Sequence, residues 1–321
     1  MKLKEIYELA VKLGMEADPR GKKEAENVLA RTREKYEKMK EEEKEFFDLE
    51  KLTNPYSDTR ILWGDPELKV TGVLSGIDLE AEEALLADRL NQGGEGINLL
   101  LAHHPEGKAL AALPDVMLMQ ADLWHKQGVP INIGDVLIDR RVKEVFRHLL
   151  PLNHRRAVDV ARLLNLAFMS VHTPADNLVT SYLQKLFDKK KPYALKDIVE
   201  ELKKISEYKA AAKEGVGPTI LVGDENKRSG RIMVDMTGGT EGPEEIMEKL
   251  ADAGVGTLVG MHMGDKLRKK AEEHHINVVI AGHVASDAIG LNLFLDKLEE
   301  KGLKILTCSG LDRVSRLSGG E

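Results

Sequence analysis

The sequence predicts an α/β fold: two similar α/β lobes with mostly parallel sheet and helical cover, preceded by an N-terminal helical arm. Three observations carry this. From residue 60 onward, short β-prone runs alternate with longer helical stretches, the rhythm of parallel strands covered by helices. Those runs are continuous in Leu, Ile, Val and Ala, as strands buried on both faces must be. Before residue 53 apolar residues recur only at helical spacing. The predicted division is residues 1–56 for the arm, 57–205 for the first lobe and 206–321 for the second.

In the arm, Val28, Leu29, Thr32, Tyr36 and Met39 fall on one helical face, with Lys, Glu and Arg between them. Gly14 and "DPRG" (18–21) split the arm into two helices, and "TNPYSD" (53–58) ends it. It reads as an appendage: a packing or oligomer contact, or an exposed helical hairpin. In the first lobe, "KVTGVLSGI" (69–77) reads as strand and "DLEAEEALLADRLNQ" (78–92) as helix. "INLLLA" (97–102) is again strand-like and "DVMLMQADLWHKQG" (115–128) helical. "VPINI" follows, then two helical stretches, then the strand "LAFMSV" (166–171). The second half repeats the rhythm with "TILV", "RIMVD", "TLVGM", "NVVIAG" and "KILTC". "GINLLLAHHP" and "INVVIAGHVASD" both run an apolar strand straight into histidine, which suggests an internal duplication.

A chain of 321 residues is long enough for two packed lobes. Its net charge of −7 argues against a general nucleic-acid binder, which shows a basic surplus. Lys189, Lys190 and Lys191 read as a solvated helix end. The single cysteine, Cys308, excludes an intrachain disulfide and a multi-cysteine zinc cage, and fits a reducing cytoplasm. "MKLKEIYELAVKLG" carries acids and lacks the apolar centre of a signal peptide. No apolar run approaches the roughly 20 residues of a membrane span.

Three places combine a histidine at a strand end with a second histidine or a carboxylate: His103 and His104, then "SVHTPAD" with His172 and Asp176, then "AGHVASD" with His283 and Asp287. Carboxyl ends of strands are where open α/β sheets place ligands. Adjacent side chains of an extended strand point to opposite sides, so His103 and His104 are expected to serve two neighbouring ions, or one ion and its surroundings. His283 and Asp287 are four apart, on one face of a starting helix. Thr173 before Pro174 reads as a helix N-cap, with Asp176 in the favoured first turn. Each has a plain alternative: a hydrogen-bonded structural histidine, or an aspartate that stabilises a helix start. Mixed imidazole and carboxylate donors suit Zn, Mn, Fe or Co. His125, His148 and His154 read as surface residues, and His274 and His275 as a helix end. "MTGGTEGPEE" (236–245) can expose amides to an anion, though a plain turn and helix cap is the simpler reading. Cys308 reads as core.

These motifs resemble the dinuclear-metal family named for NGG-interacting factor three, also known as type 2 homologues of GTP cyclohydrolase I. The resemblance covers about residues 57–312. It rests on "VLSGID" (73–78), on "HHP" at His103, on "HTPAD" with its H-x-x-x-D spacing, on "RIMVDMTGGTEG" and on "GHVASD". By position it implies His103, His104, Asp176, His283 and Asp287 as ligands of two divalent ions. It further implies a two-lobed subunit in a toroidal homo-oligomer, a hexamer, with the metal sites inside. Two departures stand out: Asp287 replaces the family's usual Glu, and His262 in "GMHMGDK" is displaced from its usual segment.

The reading that follows is a dinuclear metal-dependent hydrolase of a phosphoester or nucleotide-like small molecule. The alternative is a non-enzymatic, metal-binding or partner-docking oligomeric scaffold. An open coordination position facing a cavity separates the first from the second.

Overall fold

The computed structural model describes residues 1–317. Nine strands form two sheets. In chain order they are β1 (Arg60–Trp63), β2 (Gly72–Gly76), β3 (Leu99–Ala102), β4 (Ala167–Ser170), β5 (Thr219–Val222), β6 (Arg231–Asp235), β7 (Val255–Gly260), β8 (Asn277–Ile280) and β9 (Lys304–Cys308). The first sheet has the order β1-β4-β3-β2-β9 and the second β5-β8-β7-β6. In each sheet the first strand is antiparallel to its neighbour and the other pairings are parallel. The predicted α/β class with mostly parallel sheet and helical cover is thus the observed one.

The two sheets correspond strand for strand: β1 to β5, β2 to β6, β3 to β7 and β4 to β8. The sequence likeness between "GINLLLAHHP" and "INVVIAGHVASD" therefore pairs the wrong strands, β3 with β8. The true counterparts are "HTPAD" after β4 and "GHVASD" after β8, each an H-x-x-x-D at the start of a helix. Ala102 of β3 and Gly260 of β7 hold equivalent register places beside the neighbouring strand ends. His262, two residues after Gly260, then occupies the place in the second sheet that His104 has in the first. "VPINI" opens the helix Ile131–Leu149 with Pro130 at its N-cap, where a missing N–H costs nothing.

β2, β3 and β4 are buried throughout, which is why their sequences carry no polar alternation. The arm is not an appendage along its whole length. The helix Leu3–Ala17 lies in the main core, with Leu3, Ile6 and Ala10 fully buried beside Val73, Leu99, Leu291 and Phe294. Each such large aliphatic side chain contributes about 1.5–3 kcal/mol by leaving water. The next helix, Lys22–Glu37, buries only Ala25 and Leu29.

Two close approaches lock the helix Thr173–Lys190 in place. A methyl group on Gly14 would sit 2.8 Å from Pro174 Cβ, and one on Gly290 would sit 2.3 Å from the carbonyl oxygen of Ala175. The helix His283–Glu299 therefore packs backbone against backbone on the first turn of Thr173–Lys190. Among the described residues no helix is long and apolar enough to cross a membrane.

Candidate metal centre

β3 hands directly into His103 and His104. Their amides still pair with the end of β2, donating to Gly76 O and Ile77 O at 2.9 Å. His103 is fully buried and His104 half-buried, as pleat alternation requires. The rings nevertheless converge, with centroids 5.3 Å apart, because the backbone bends at His103 and His104 themselves as it leaves the sheet. The expectation that they face apart is corrected here.

β4 leads through Val171 into His172, and the helix begins at Thr173 with Pro174 in its first turn. His172, not Thr173, is the N-cap residue, and its side chain makes no cap bond. The Thr173 hydroxyl is otherwise engaged: it donates to Asp58 Oδ2 at 2.6 Å, and the same oxygen lies 2.7 Å from His172 Nδ1. Asp58 is fully buried and fixes the ring so that Nε2 turns toward Asp176, 3.8 Å away. Asp176, one turn into the helix, places Oδ1 3.3 Å from His103 Nε2.

β8 reaches the site through Ala281 and Gly282, whose φ of 116° sets the left-handed turn before His283. His283 Nε2 lies 3.5 Å from Asp287 Oδ2, four residues on. Asp287 faces both lobes. Its Oδ1 is 3.3 Å from His103 Nε2, and its Oδ2 is 3.6 Å from His104 Nε2. His104 Nδ1 in turn pairs with Asp78 Oδ1 at 2.6 Å, and the His104 and His283 rings are 5.4 Å apart. The structure thus brings His103, His104, Asp176, His283 and Asp287 together.

The polar inventory of the centre is incomplete. His103 Nε2, Asp176 Oδ1 and both Asp287 oxygens are buried without a hydrogen-bond partner, which a native protein rarely tolerates. The short distances between them are not aligned for hydrogen bonds. Among the described residues three groups have donor atoms close enough to hold a metal ion together: His103, His104 and His172; His104, His283 and Asp287; and His103, Asp176 and Asp287. The donor set, imidazole with carboxylate, suits a divalent transition metal.

Electrostatics agree. Burial alone would push His103 down, but Asp287 and Asp176 override it and hold the imidazole well above its ordinary range. Burial, reinforced by His103 and His172, pushes His104 down. Burial likewise keeps His283 low despite Asp287. Burial opposes ionisation of Asp287, yet His103 beside it holds the carboxyl below its usual value. His172 is raised against its burial by Asp176 and Asp58, so the centre draws positive charge toward its buried carboxylates, as a site arranged for a cation does.

Several pairings are not legible in the sequence. Asp58 and Asp78 orient His172 and His104, and neither is near its partner in the chain. His172 itself was noticed but not counted among the ligands. His262, its Nδ1 3.0 Å from Glu241 Oε1, has its ring centroid 4.9 Å from that of His283, the two rings tilted by 57°. The glycine-rich stretch runs into the next helix, with Glu245 at its N-cap but without a side-chain cap bond. Gln120 pins the loop, its Nε2 donating to Gly238 O at 2.7 Å and to Thr240 O at 2.6 Å. Gly238 has φ 96° and its hydrogen faces the Gln120 stem, where a methyl would meet Cγ at 2.7 Å. This loop walls a cavity of about 90 Å³ whose other walls include His172, Asp176, His283 and Asp287. Cys308 closes β9 half-buried.

No family model and no curated protein matches the sequence. Solved structures do match. A NIF3 superfamily protein from Sphaerobacter thermophilus aligns at a TM-score of 0.71 with 25% identity, covering 81% of this chain and 94% of its own. Reduced HcgD from Methanocaldococcus jannaschii aligns at 0.48 with 17% identity, covering 77% and 87%. A Bacillus cereus protein related to NIF3 aligns at 0.44 with 11% identity, covering 81% and 92%. With buried histidine and aspartate groups gathered at the strand ends of two matching sheets, the resemblance read from the sequence holds in three dimensions: the chain has the fold of the NIF3 superfamily and is similar to it in sequence.

Proposed function

We propose that this protein is a dinuclear metal-dependent hydrolase, with His103, His104, Asp176, His283 and Asp287 as ligands of two divalent ions and Asp287 shared between them. The observation that carries this is Asp287 itself. Both its oxygens are buried and unpartnered; one faces His103 of the inner strand end, the other His104 and His283. A carboxylate so placed serves two positions at once. Zn, Mn, Fe or Co bound there would polarise a substrate oxygen and lower the pKa of a water molecule.

The chain's own groups do the rest. Asp58 and Asp78 hold the His172 and His104 rings in orientation, the role second carboxylates take around metal-binding imidazoles. The centre opens on one side to the cavity, which favours a reacting substrate over a closed, purely structural ion site. This supports the hydrolase reading over the scaffold reading. A phosphoester or nucleotide-like small molecule is the substrate class implied by the family resemblance.

A closed homo-oligomer, a hexamer by the same resemblance, belongs to the proposal. Val136, Phe146, Leu150 and Leu152 are exposed on and just after the helix Ile131–Leu149, a surface suited to a contact between copies. The lone Cys308 keeps a reducing cytoplasm in the reading.

The test is elemental analysis of the purified chain, then calorimetric titration of the metal it carries into wild type and Asp287→Ala, then a hydrolysis screen with that metal restored. Wild type should take up two ions per chain and Asp287→Ala fewer, or bind them at least tenfold more weakly. Unchanged stoichiometry and affinity in Asp287→Ala removes the shared carboxylate. A metal-replete protein that hydrolyses none of the screened esters or nucleotides returns the scaffold reading.

A further inference from the structure

The helix Ile131–Leu149 turns one side to the molecule and leaves the other bare. Its buried residues are Gly134, Leu137, Ile138 and Val145. On the opposite side Val136, Phe146 and Leu150 are 57%, 48% and 64% exposed. At about 100° per residue they share an arc of about 120° with Asn132, Asp135, Asp139, Lys143 and Arg147, all exposed. The charges are sorted along this face, acid in its first half and base in its second. The neighbouring Arg140 and Arg141 have carboxylate partners in Glu245 and Glu144. Among the described residues Asp135, Asp139, Lys143 and Arg147 have no ion-pair partner.

Within one helix this order is unfavourable. Asp135 and Asp139 are four apart, as are Lys143 and Arg147, so each repels its like across one turn. The helix dipole does not account for it, because that field acts in the first and last turns, and Asp139 and Lys143 lie in the middle. A second copy of the same helix, laid antiparallel, resolves both pairs at once. With a two-fold axis midway between positions 139 and 143, Asp139 of one copy meets Lys143 of the other, and Asp135 meets Arg147. The same register sets Val136 against Phe146 and Asn132 against Leu150, each twice. Parallel packing would set like charge on like. A membrane surface calls for a basic face around the apolar one, whereas the charges here balance.

We propose that this face is a two-fold contact between two copies of the chain, the helices antiparallel about an axis level with Arg141. It goes beyond the closed homo-oligomer proposed above: the contact is isologous, so the assembly holds an even number of chains. Arg141 itself is half-buried on the inner side of the helix, and its Nε donates to Glu241 O at 3.0 Å. Glu241 belongs to the loop that walls the cavity beside the metal centre, so the helix that pairs with its copy also supports that wall.

The experiment is sedimentation velocity on the full-length protein in three forms: wild type, an all-basic face (Asp135→Lys with Asp139→Lys) and an all-acidic face (Lys143→Asp with Arg147→Asp). Wild type should sediment with an even number of chains. Each variant alone should sediment at half that mass, its two-fold association weakened at least tenfold by like charges brought face to face. An equimolar mixture of the two variants should regain the wild-type mass, because every basic side chain then meets an acidic one; chains that had failed to fold could not do this. A wild type with an odd number of chains overturns the contact without any variant and leaves a closed homo-oligomer standing. A monomeric wild type overturns both and leaves the metal reading untouched. Variants that alone keep the wild-type mass, or a mixture that stays at half of it, also overturn the contact.

Discussion

Gly290→Ala is the substitution by which the centre can be disturbed without touching a proposed ligand. The helices Thr173–Lys190 and His283–Glu299 meet where Gly290 faces the carbonyl oxygen of Ala175. A methyl there would lie 2.3 Å from that oxygen, whereas ordinary contact begins at 3.4 Å, so the helices must part by about 1 Å. Ala175 precedes Asp176, and Gly290 lies one turn after Asp287, so the movement separates the two carboxylates. Metal–ligand distances tolerate only about 0.2 Å, so a parting of about 1 Å removes Asp287 from one set of donors. The overpacking itself costs about 1–3 kcal/mol. For 321 residues the unfolding entropy is about 0.67 kcal/mol/K, so the melting temperature should fall by about 2–5 °C. The assay is thermal denaturation with and without chelator, alongside elemental analysis. Wild type should melt higher with metal, by about 4 °C for each ion present at a hundred times its Kd. Gly290→Ala should keep the fold and lose most of that increment. Adding Asp287→Glu to it should restore metal uptake, since one more methylene extends the carboxylate by about 1.5 Å. A Gly290→Ala protein with wild-type metal content and an unshifted melting temperature would refute the argument that close helix packing sets the reach of Asp287.

Two further predictions address the supports of the site and of the fold. Asp58→Ala should weaken metal binding about 10- to 100-fold in calorimetry while leaving stoichiometry intact, because it frees His172 and Thr173 without removing a proposed ligand; unchanged affinity would mean that the ring is held by packing alone. Asp48, beside the almost fully buried Arg60 and near Lys108, is held below its usual pKa: burial opposes the shift, but hydrogen bonds from Lys108 and Arg60 overcome it. Its folded-state pKa is depressed, so its contribution is present above the unfolded value of 3.8 and is lost as pH falls through the folded value. Asp48→Asn should therefore destabilise by about 1–3 kcal/mol at pH 7 in urea unfolding, and the difference should close below about pH 4. A gap that stays constant down to pH 3 would rule out the ion pair as its source.

What could be read in the sequence and what could not divide along the range of the interactions. The strand-to-histidine endings are local: a buried strand is a short apolar run, and the residue after it sits at the ligand-binding edge whatever the rest does. His103, His104 and His283 could be placed at that edge for that reason, and Asp176 through its H-x-x-x-D spacing from His172. Strand order was not, because it is set by pairings between distant segments, and so β3 was matched with β8 when the topology matches β4 with β8. Asp58 was passed over as part of a helix-breaking turn, since its partner His172 is 114 positions away. Whether the first helix makes a packing or oligomer contact or stands exposed is open in the sequence, because an amphipathic face does not say what covers it; only the packed structure puts Leu3 and Ile6 against the first sheet and Phe294. The departure at Asp287 was visible; that Gly290 seats its helix directly on the Ala175 carbonyl was not, because that contact joins two distant segments of the chain.

The matched topology also says why the centre belongs to the whole chain. The group His103, His104 and His172 comes from the first sheet alone and contains no carboxylate. Both groups that include a carboxylate include Asp287, which the second sheet supplies through the helix after β8. That helix runs on into β9, which returns to the first sheet beside β2. An ion held by Asp287 and His103 together therefore ties the two sheets across the same seam that β9 already crosses in the backbone. Binding energy at such a seam is available only when both sheets are folded and docked, so metal and fold stabilise one another by linkage.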